Sequence, residues 1–239
     1  MEAALKLWHV KACPLFTELT QQQRDHIAKT VDMIELENKR VVPPPPADDP
    51  SLYIVKKGHV QLSFVDEEGH EAVVLVLGPG DVFGALTPED QSAFGEHCRT
   101  IEGAVLCRIG RERFEALVRN FPDLAFRLTK LSFLRIRKLQ VRLAEMMMKP
   151  AEVRLALALL DLSKQVGREM SDGRIKLTLP LSHADFGKLI GTSREMVSIL
   201  LKKFRNQGLV ESSKGWTYLR DVERLEELAG GDKPARSPA

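Results

Sequence analysis

Arg194 and Glu195 open a run, Thr192 to Arg205, in which two kinds of side chain recur at helical spacing. Val197, Leu200, Leu201 and Phe204 fall on one side; Arg194, Glu195, Ser198, Ile199 and Lys202 are left on the other. An arginine can donate to guanine O6 and N7 together, whereas an isoleucine can touch only a thymine methyl or a sugar. A helix N-terminus also favours phosphate. The chemistry this face suits is the reading of base edges in a major groove. The plainer alternative is a helical hairpin with a solvated, charged side.

Two helices must position that face. Thr192, with Glu195 three residues later, reads as a capping box for the second helix, and Ser193 lies beside it. Upstream, Ser182 and Asp185 open a shorter helix, Leu181 and Phe186 are spaced as a staple across its start, and Gly191 ends it. Gly187, lacking a side chain, lets the second helix come close. Short capped helices joined by one turn cross steeply, which predicts a helix-turn-helix. Leu209-Val210-Glu211 and Trp216 to Leu219 flank Lys214-Gly215 as a hairpin wing, and Asp221 to Ala229 is a last helix. The candidate DNA-facing set is Ser182, Thr192, Ser193, Arg194, Glu195, Ser198, Ile199, Lys202 and Lys214.

The chain has 239 residues, 44% hydrophobic and 28% charged, comfortable for two globular domains. Its net charge of +2 decides little, but the distribution is uneven. Residues 150–220 hold twelve Lys or Arg against seven Asp or Glu, a net +5, so the remainder sums to −3. A basic C-terminal half fits a nucleic-acid partner. The three cysteines, Cys13, Cys98 and Cys107, form no CxxC pair, which supports neither a zinc module nor a disulfide framework and suits a reducing cytoplasm. His9 and Cys13 are four apart, but a metal site would need two further ligands. No apolar run is long enough to span a membrane, and the N-terminus lacks the pattern of a secretory signal. Neither G-x-S-x-G, nor a phosphate-binding GxxxxGK[ST] loop, nor HExxH occurs, so the expectation is a protein that is not an enzyme.

In chain order, residues 3–31 read as short helices broken near Pro14. From about 33 to 110 the period becomes two, and short strands with glycine turns predict a small barrel or jelly-roll. Leu52 to Val55, His59 to Val65, Ala72 to Leu77, Val82 to Gly84 and Gly103 to Ile109 are its strands, and Pro43 to Pro46 an exposed extended loop. A short helix at 111–120 precedes a long one from Pro122 to about Met148. That helix carries two apolar stripes: Phe126, Phe133, Ile136, Leu143 and Met147; and Leu124, Leu128, Leu131, Leu134 and Val141. Two stripes require two neighbours. The strand domain can take one, and the same helix from a second chain the other, unless the helix is buried within one subunit. A mostly buried helix follows to about Gln165, then a polar loop from Gly167 to Gly173 and a strand from Ile175 to Leu179. Gly230 to Ala239 reads as a disordered tail.

Taken in order, CPLF (Cys13 to Phe16), SLYIVKKGHVQL (Ser51 to Leu62), LGPGDVFGAL (Leu77 to Leu86), IGRERF (Ile109 to Phe114) and LIGTSREMVSILLKKFRNQGLV (Leu189 to Val210) carry a resemblance. Over residues 10–228 the chain resembles the Crp/Fnr family of bacterial transcription regulators. The resemblance implies an α+β protein with four parts. These are a double-stranded β-helix (jelly-roll) sensor domain of the cyclic-nucleotide-binding type at 1–121, a long dimerisation helix at 122–149, a winged helix-turn-helix at 150–229 and a tail at 230–239. It further implies a homodimer formed through Phe126, Phe133, Ile136, Leu143 and Met147. Arg194 and Glu195 would read DNA on a near-palindromic site, the two recognition helices one turn of the duplex apart. RNA polymerase is a further partner to expect, with 167–173 as a surface for it by position alone.

The sensor departs from the pattern of the family's cyclic-AMP binders. Those carry Gly-Glu and, about ten residues on, Arg-Ser or Arg-Thr, the Glu taking the ribose hydroxyl and the Arg neutralising the phosphate. Here the first pair is Gly84-Ala85, followed by Leu86, and the second falls on Phe94-Gly95 or, slipped by two, on Glu96-His97. Arg99-Thr100 lies late in register. The pocket set is therefore Gly84, Ala85, Leu86, Glu96, His97, Arg99 and Thr100, with no cofactor expected and cyclic AMP disfavoured. Ile199 is the second departure, since many relatives read a base with arginine there. Three scattered cysteines cannot hold an iron–sulfur cluster, while haem, needing a single axial His or Cys, stays open. A regulator controlled by its amount, by modification or by protein partners leads. The alternative class is a small-molecule or haem-sensing module that acts through protein contacts.

Overall fold

The structure, a computed structural model, describes residues 15, 20, 22, 27, 31–46, 48–65, 67–86, 98–213 and 215–230. Most of the helices expected at 3–31, His9, Cys13, Glu96, His97, Lys214 and residues 231–239 of the tail lie outside the described residues. The chain divides into two compact units, 1–138 and 139–239.

In the first unit, seven strands form two antiparallel sheets among the described residues. β1 (Asp32–Leu36), β7 (Ala104–Gly110), β2 (Ser51–Lys57) and β5 (Val82–Gly84) lie in that order; β4 (Glu71–Leu77), β3 (Val60–Val65) and β6 (Cys98–Thr100) make the other. The expected β-rich domain is present. β2 is the strand that joins its cores. Leu52 and Ile54 pack with Leu15, Ile27, Phe114, Leu117 and Leu124. Tyr53 and Val55 face the opposite way, against Val60, Leu77, Phe83 and Leu106. A strand buried on both faces loses its alternation, which is why SLYIV reads as an unbroken apolar run. The Tyr53 ring stacks on Phe83 at 5.3 Å, and its hydroxyl donates to the Pro43 carbonyl at 3.1 Å.

Two boundaries differ from the sequence reading. Pro45 is buried although Pro43, Pro44 and Pro46 are exposed, so the proline segment is only partly a solvated loop. Its neighbour Val42, fully buried in the second core, draws the segment inward. The stretch 167–173 is not all loop: β8 (Gly167–Glu169) pairs with β9 (Ile175–Leu177), and only the turn between them is irregular.

Helix α1 (Arg111–Asn120) buries Phe114 and Leu117, and α2 (Asp123–Met148) follows. The core of the first unit takes up the beginning of the second stripe of α2. Leu124 is buried, and Leu128 and Leu131 pack on the same core. Leu134 and Val141 are about half exposed. The first stripe is open throughout: Phe126 is 74% exposed, Phe133 68% and Met147 78%, with Ile136 and Leu143 also exposed.

The second unit holds α3 (Ala151–Val166), β8, β9, α4 (His183–Ile190), α5 (Arg194–Asn206), β10 (Val210–Ser213), β11 (Trp216–Leu219) and α6 (Val222–Leu228). Its sheet runs β10-β11-β9-β8, all antiparallel. α3 packs on α4, α5 and α6. Leu155, Leu159, Phe186, Ile190, Val197, Leu201, Phe204 and Leu225 are buried, so the apolar side read from the sequence of α5 is indeed its core side.

Candidate nucleic-acid interface

The first helix of the pair is capped as its sequence indicates. The Ser182 hydroxyl accepts from the Asp185 amide, and the Asp185 carboxylate accepts from the Ser182 amide at 2.8 Å. Gly191 ends α4 at φ 65°, ψ 52°, a conformation that costs a residue with a β-carbon roughly 1–2 kcal/mol. Gly187 has a more local reason than the approach of the whole second helix. A β-carbon there would lie 2.7 Å from the Thr192 carbonyl oxygen, so the glycine makes room for the turn.

The cap of α5 is one residue later than the sequence reading. The Thr192 amide donates to the Gly187 carbonyl, closing the end of α4, and Ser193 takes over as cap by accepting from the Met196 amide. No reciprocal box forms, because the residue three beyond Ser193 is Met196, not a carboxylate.

On α5, Arg194, Glu195, Met196, Ile199, Lys202 and Lys203 are exposed on the turns facing away from the core. Ile199 is 62% exposed and Met196 41%, unusual for large apolar side chains on a polar face. Met196 was not in the sequence-derived set, although its spacing of three from Ile199 puts the two on one face. Ser198 is not a free reader. Its hydroxyl donates to the Arg194 carbonyl at 2.9 Å and lies 2.8 Å from Nδ1 of His183. Burial, then the charges of Arg205 and Arg194, hold the His183 imidazole below its usual range. Lys203 is drawn aside to Glu152 of α3 at 2.7 Å, so Lys202 is the cation that this turn presents outward.

Two arginines fasten the C-terminal end of α4. Arg154 on α3 donates to the carbonyls of Ile190 (2.9 Å) and Gly191 (3.3 Å) at the end of α4. The same guanidinium donates to Lys149 (2.8 Å) and Met146 (3.4 Å) at the end of α2. Arg142, on α2, donates to the Leu189 carbonyl, and burial lowers its pKa from the usual guanidinium value. C-terminal carbonyls carry partial negative charge, so a cation at that point satisfies groups the helix leaves unpaired.

The wing is held by its own cations. Arg174 pairs with Asp172 (2.6 Å) and Glu211 (2.8 Å), and its guanidinium carbon sits 5.0 Å from the centre of the Tyr218 ring. Lys176 Nζ lies 3.9 Å from the centre of the Trp216 ring. Arg205 reaches Ser212 of β10, joining α5 to the wing.

The described sensor residues do not converge. Gly84 pairs with Leu52 in one sheet, and the Ala85 amide donates to the Ser51 carbonyl. Arg99 and Thr100 pair with Gln61 and Val60 in the other sheet. Ala85 is buried, Gly84 and Leu86 are half-buried, and Arg99 is exposed. The Thr100 hydroxyl is occupied, donating to the Glu37 carbonyl at 2.7 Å and accepting from the Arg40 amide at 2.8 Å. Cys98 is buried, which pushes its thiol up to about 12. Among the described residues, no group of three or more His, Cys, Asp or Glu could hold a metal ion.

Comparison with known proteins matches this architecture. Residues 46–121 match the cyclic nucleotide-binding domain, and residues 153–228 match the Crp-like helix-turn-helix domain. The chain is 31% identical to a cyclic AMP receptor protein of Thermus thermophilus, over 76% of this chain and 80% of the relative. It is 26% identical to a CRP-like cAMP-activated global transcriptional regulator of Mycobacterium tuberculosis, over 74% and 79%. Among solved structures, it is similar to a CooA mutant from Carboxydothermus hydrogenoformans (TM-score 0.69, 23% identity, 89% of this chain and 91% of that one). It is likewise similar to a transcriptional regulator of the CRP/FNR family from Thermus thermophilus (TM-score 0.68, 23% identity, 83% and 98%).

Proposed function

The chain belongs to the Crp/Fnr family of transcription regulators, and from that premise we propose that it works as a homodimer on a near-palindromic operator. The observation that carries this reading is the capped helix α5, whose exposed side offers Arg194, Glu195, Met196, Ile199 and Lys202 while Val197, Leu200, Leu201 and Phe204 fix its other side in the core. Arg194, at the first turn, would take a guanine through O6 and N7. Ile199, a turn further on and apolar, would press on a thymine methyl. Backbone phosphates fall to Lys202, Lys214 and the Ser193 hydroxyl; the Ser182 hydroxyl spends its proton on the Asp185 carboxylate at 2.6 Å and has none left for a phosphate.

The second copy is proposed to meet the first along Phe126, Phe133, Ile136, Leu143 and Met147, the α2 stripe left exposed in the single chain. Fully covering a large apolar side chain contributes at most about 1.5–3 kcal/mol, so closing this stripe against a second copy favours pairing, against the cost of association. We read the sensor as unresponsive to cyclic AMP, because the position after Gly84 is a buried alanine with no carboxylate for a ribose hydroxyl. Control through protein level, modification or partners, in the cytoplasm and with RNA polymerase as the protein contacted, completes the proposal. A haem- or small-molecule-sensing module acting through protein contacts is the competing reading; it requires that purified protein show no preference for any duplex.

Arg194→Ala tests the proposal. It should weaken specific binding by about 1–3 kcal/mol while leaving nonspecific binding nearly intact. Equal loss on specific and random duplexes would reduce Arg194 to a phosphate contact.

A further inference from the structure

His183 is the only histidine in residues 139–239, and it sits between the two helices of the reader. Its hydrogen bond fixes more than its position. A serine hydroxyl has one proton, and Ser198 spends it on the Arg194 carbonyl at 2.9 Å. At the 2.8 Å contact, Ser198 must then accept, and His183 must donate from Nδ1. Nε2 is consequently the ring nitrogen whose proton is free to come and go. The imidazole is half-buried, and the charges acting on it come from Arg205 and Arg194, both on α5. Its own helix contributes Asp185, whose carboxylate is engaged by Ser182. α3, the other helix packed on α4, brings Arg154 only to the far end, at Ile190.

We propose that His183 takes up a proton when the protein binds DNA, making operator affinity rise as pH falls; this rests on the DNA-reading assignment of α5. A duplex on this face sets guanine acceptors against Arg194 and backbone phosphates around Arg205 and the imidazole, which offsets the two cations repelling a charged imidazole and adds attraction of its own. Burial, the largest of the three influences that keep the free imidazole neutral, stays in place, while the two charge influences, from Arg205 and Arg194, are thereby offset. The sign follows. With the imidazole's pKa higher in the complex than in the free protein, binding absorbs a proton. Affinity then climbs with acidification between the two values and is level outside them, by at most about tenfold per pH unit for one proton. A protonated His183 keeps its Nδ1–H donation to Ser198, so the reader's geometry is unchanged by the uptake.

The test is a titration of a fluorescein-labelled duplex, recovered from a random pool by the wild-type protein, at constant ionic strength from pH 8.0 to 5.5. His183→Asn is the matched variant, since its amide can replace Nδ1–H toward Ser198 but cannot titrate. Wild type should tighten by about threefold or more over that range, while His183→Asn keeps the wild-type affinity at pH 8.0 and stays level below it. A variant with the wild-type slope, or a wild type without one, would overturn the inference while leaving DNA binding in place. Absence of binding by wild type at every pH would instead remove the DNA-reading assignment, and this inference with it.

Discussion

Arg154 donates through Nε to the Ile190 carbonyl at 2.9 Å, while its Nη1 reaches the Lys149 carbonyl at 2.8 Å. One guanidinium thus closes the C-terminal ends of α4 and α2, within a unit that also contains the recognition helix. The planar fork is what allows it; an ammonium is a point charge on a flexible stem. Arg154→Lys should loosen this attachment by about 1.5–3 kcal/mol, the range for hydrogen bonds to charged groups. The readout is amide exchange in α4, faster in the variant, together with weaker DNA binding. Unchanged exchange in α4 would mean that Arg154 contributes charge and nothing directional.

Phe133 and Ile136 are 68% and 50% exposed on α2. Placing Glu at Phe133 would bring two like charges together at a seam of paired helices, a cost added to the lost apolar burial. Sedimentation velocity should show monomers for Phe133→Glu, with specific affinity reduced at least about tenfold, since each recognition helix then binds alone. A dimer unchanged in sedimentation would remove this stripe from the interface.

The apolar reader can be tested from the DNA side. Replacing the thymine facing Ile199 by deoxyuridine deletes one methyl and should cost about 0.8 kcal/mol or less. Ile199→Ala should make the protein insensitive to the same replacement. Equal sensitivity in both proteins would place the isoleucine elsewhere than against that base.

Calorimetric titration with cyclic AMP and cyclic GMP should give no heat of binding up to millimolar ligand. The grounds are Ala85, whose amide is spent on the Ser51 carbonyl, and Thr100, whose hydroxyl is held by Glu37 and Arg40. Micromolar affinity for either nucleotide would overturn the reading of the sensor.

Much of this was legible in the sequence, for reasons that are physical. The Ser182–Asp185 box and Gly191 are local signals, satisfied within a few residues of themselves, and both hold in the structure. The apolar periodicity of α5 marked its core side, and its polar side followed. The cap of α5 was displaced because Thr192 had two uses, and closing α4 through Gly187 claimed it. β1 and β6 went unplaced: β6 has three residues and β1 alternates weakly, so their pairing to β7 and β3 decides them rather than their composition. His183 gave no sequence signal at all. Its meaning lies in Ser198, fifteen positions away and brought within hydrogen-bond distance only by the crossing of the two helices.

Selection of bound duplexes from a random pool decides whether α5 reads DNA in pairs. The recovered site should hold two inverted half-sites, their centres one helical turn apart, each with a guanine that Arg194→Ala no longer distinguishes from other bases. A pool that remains random after repeated rounds, even at low salt, would contradict DNA reading by α5.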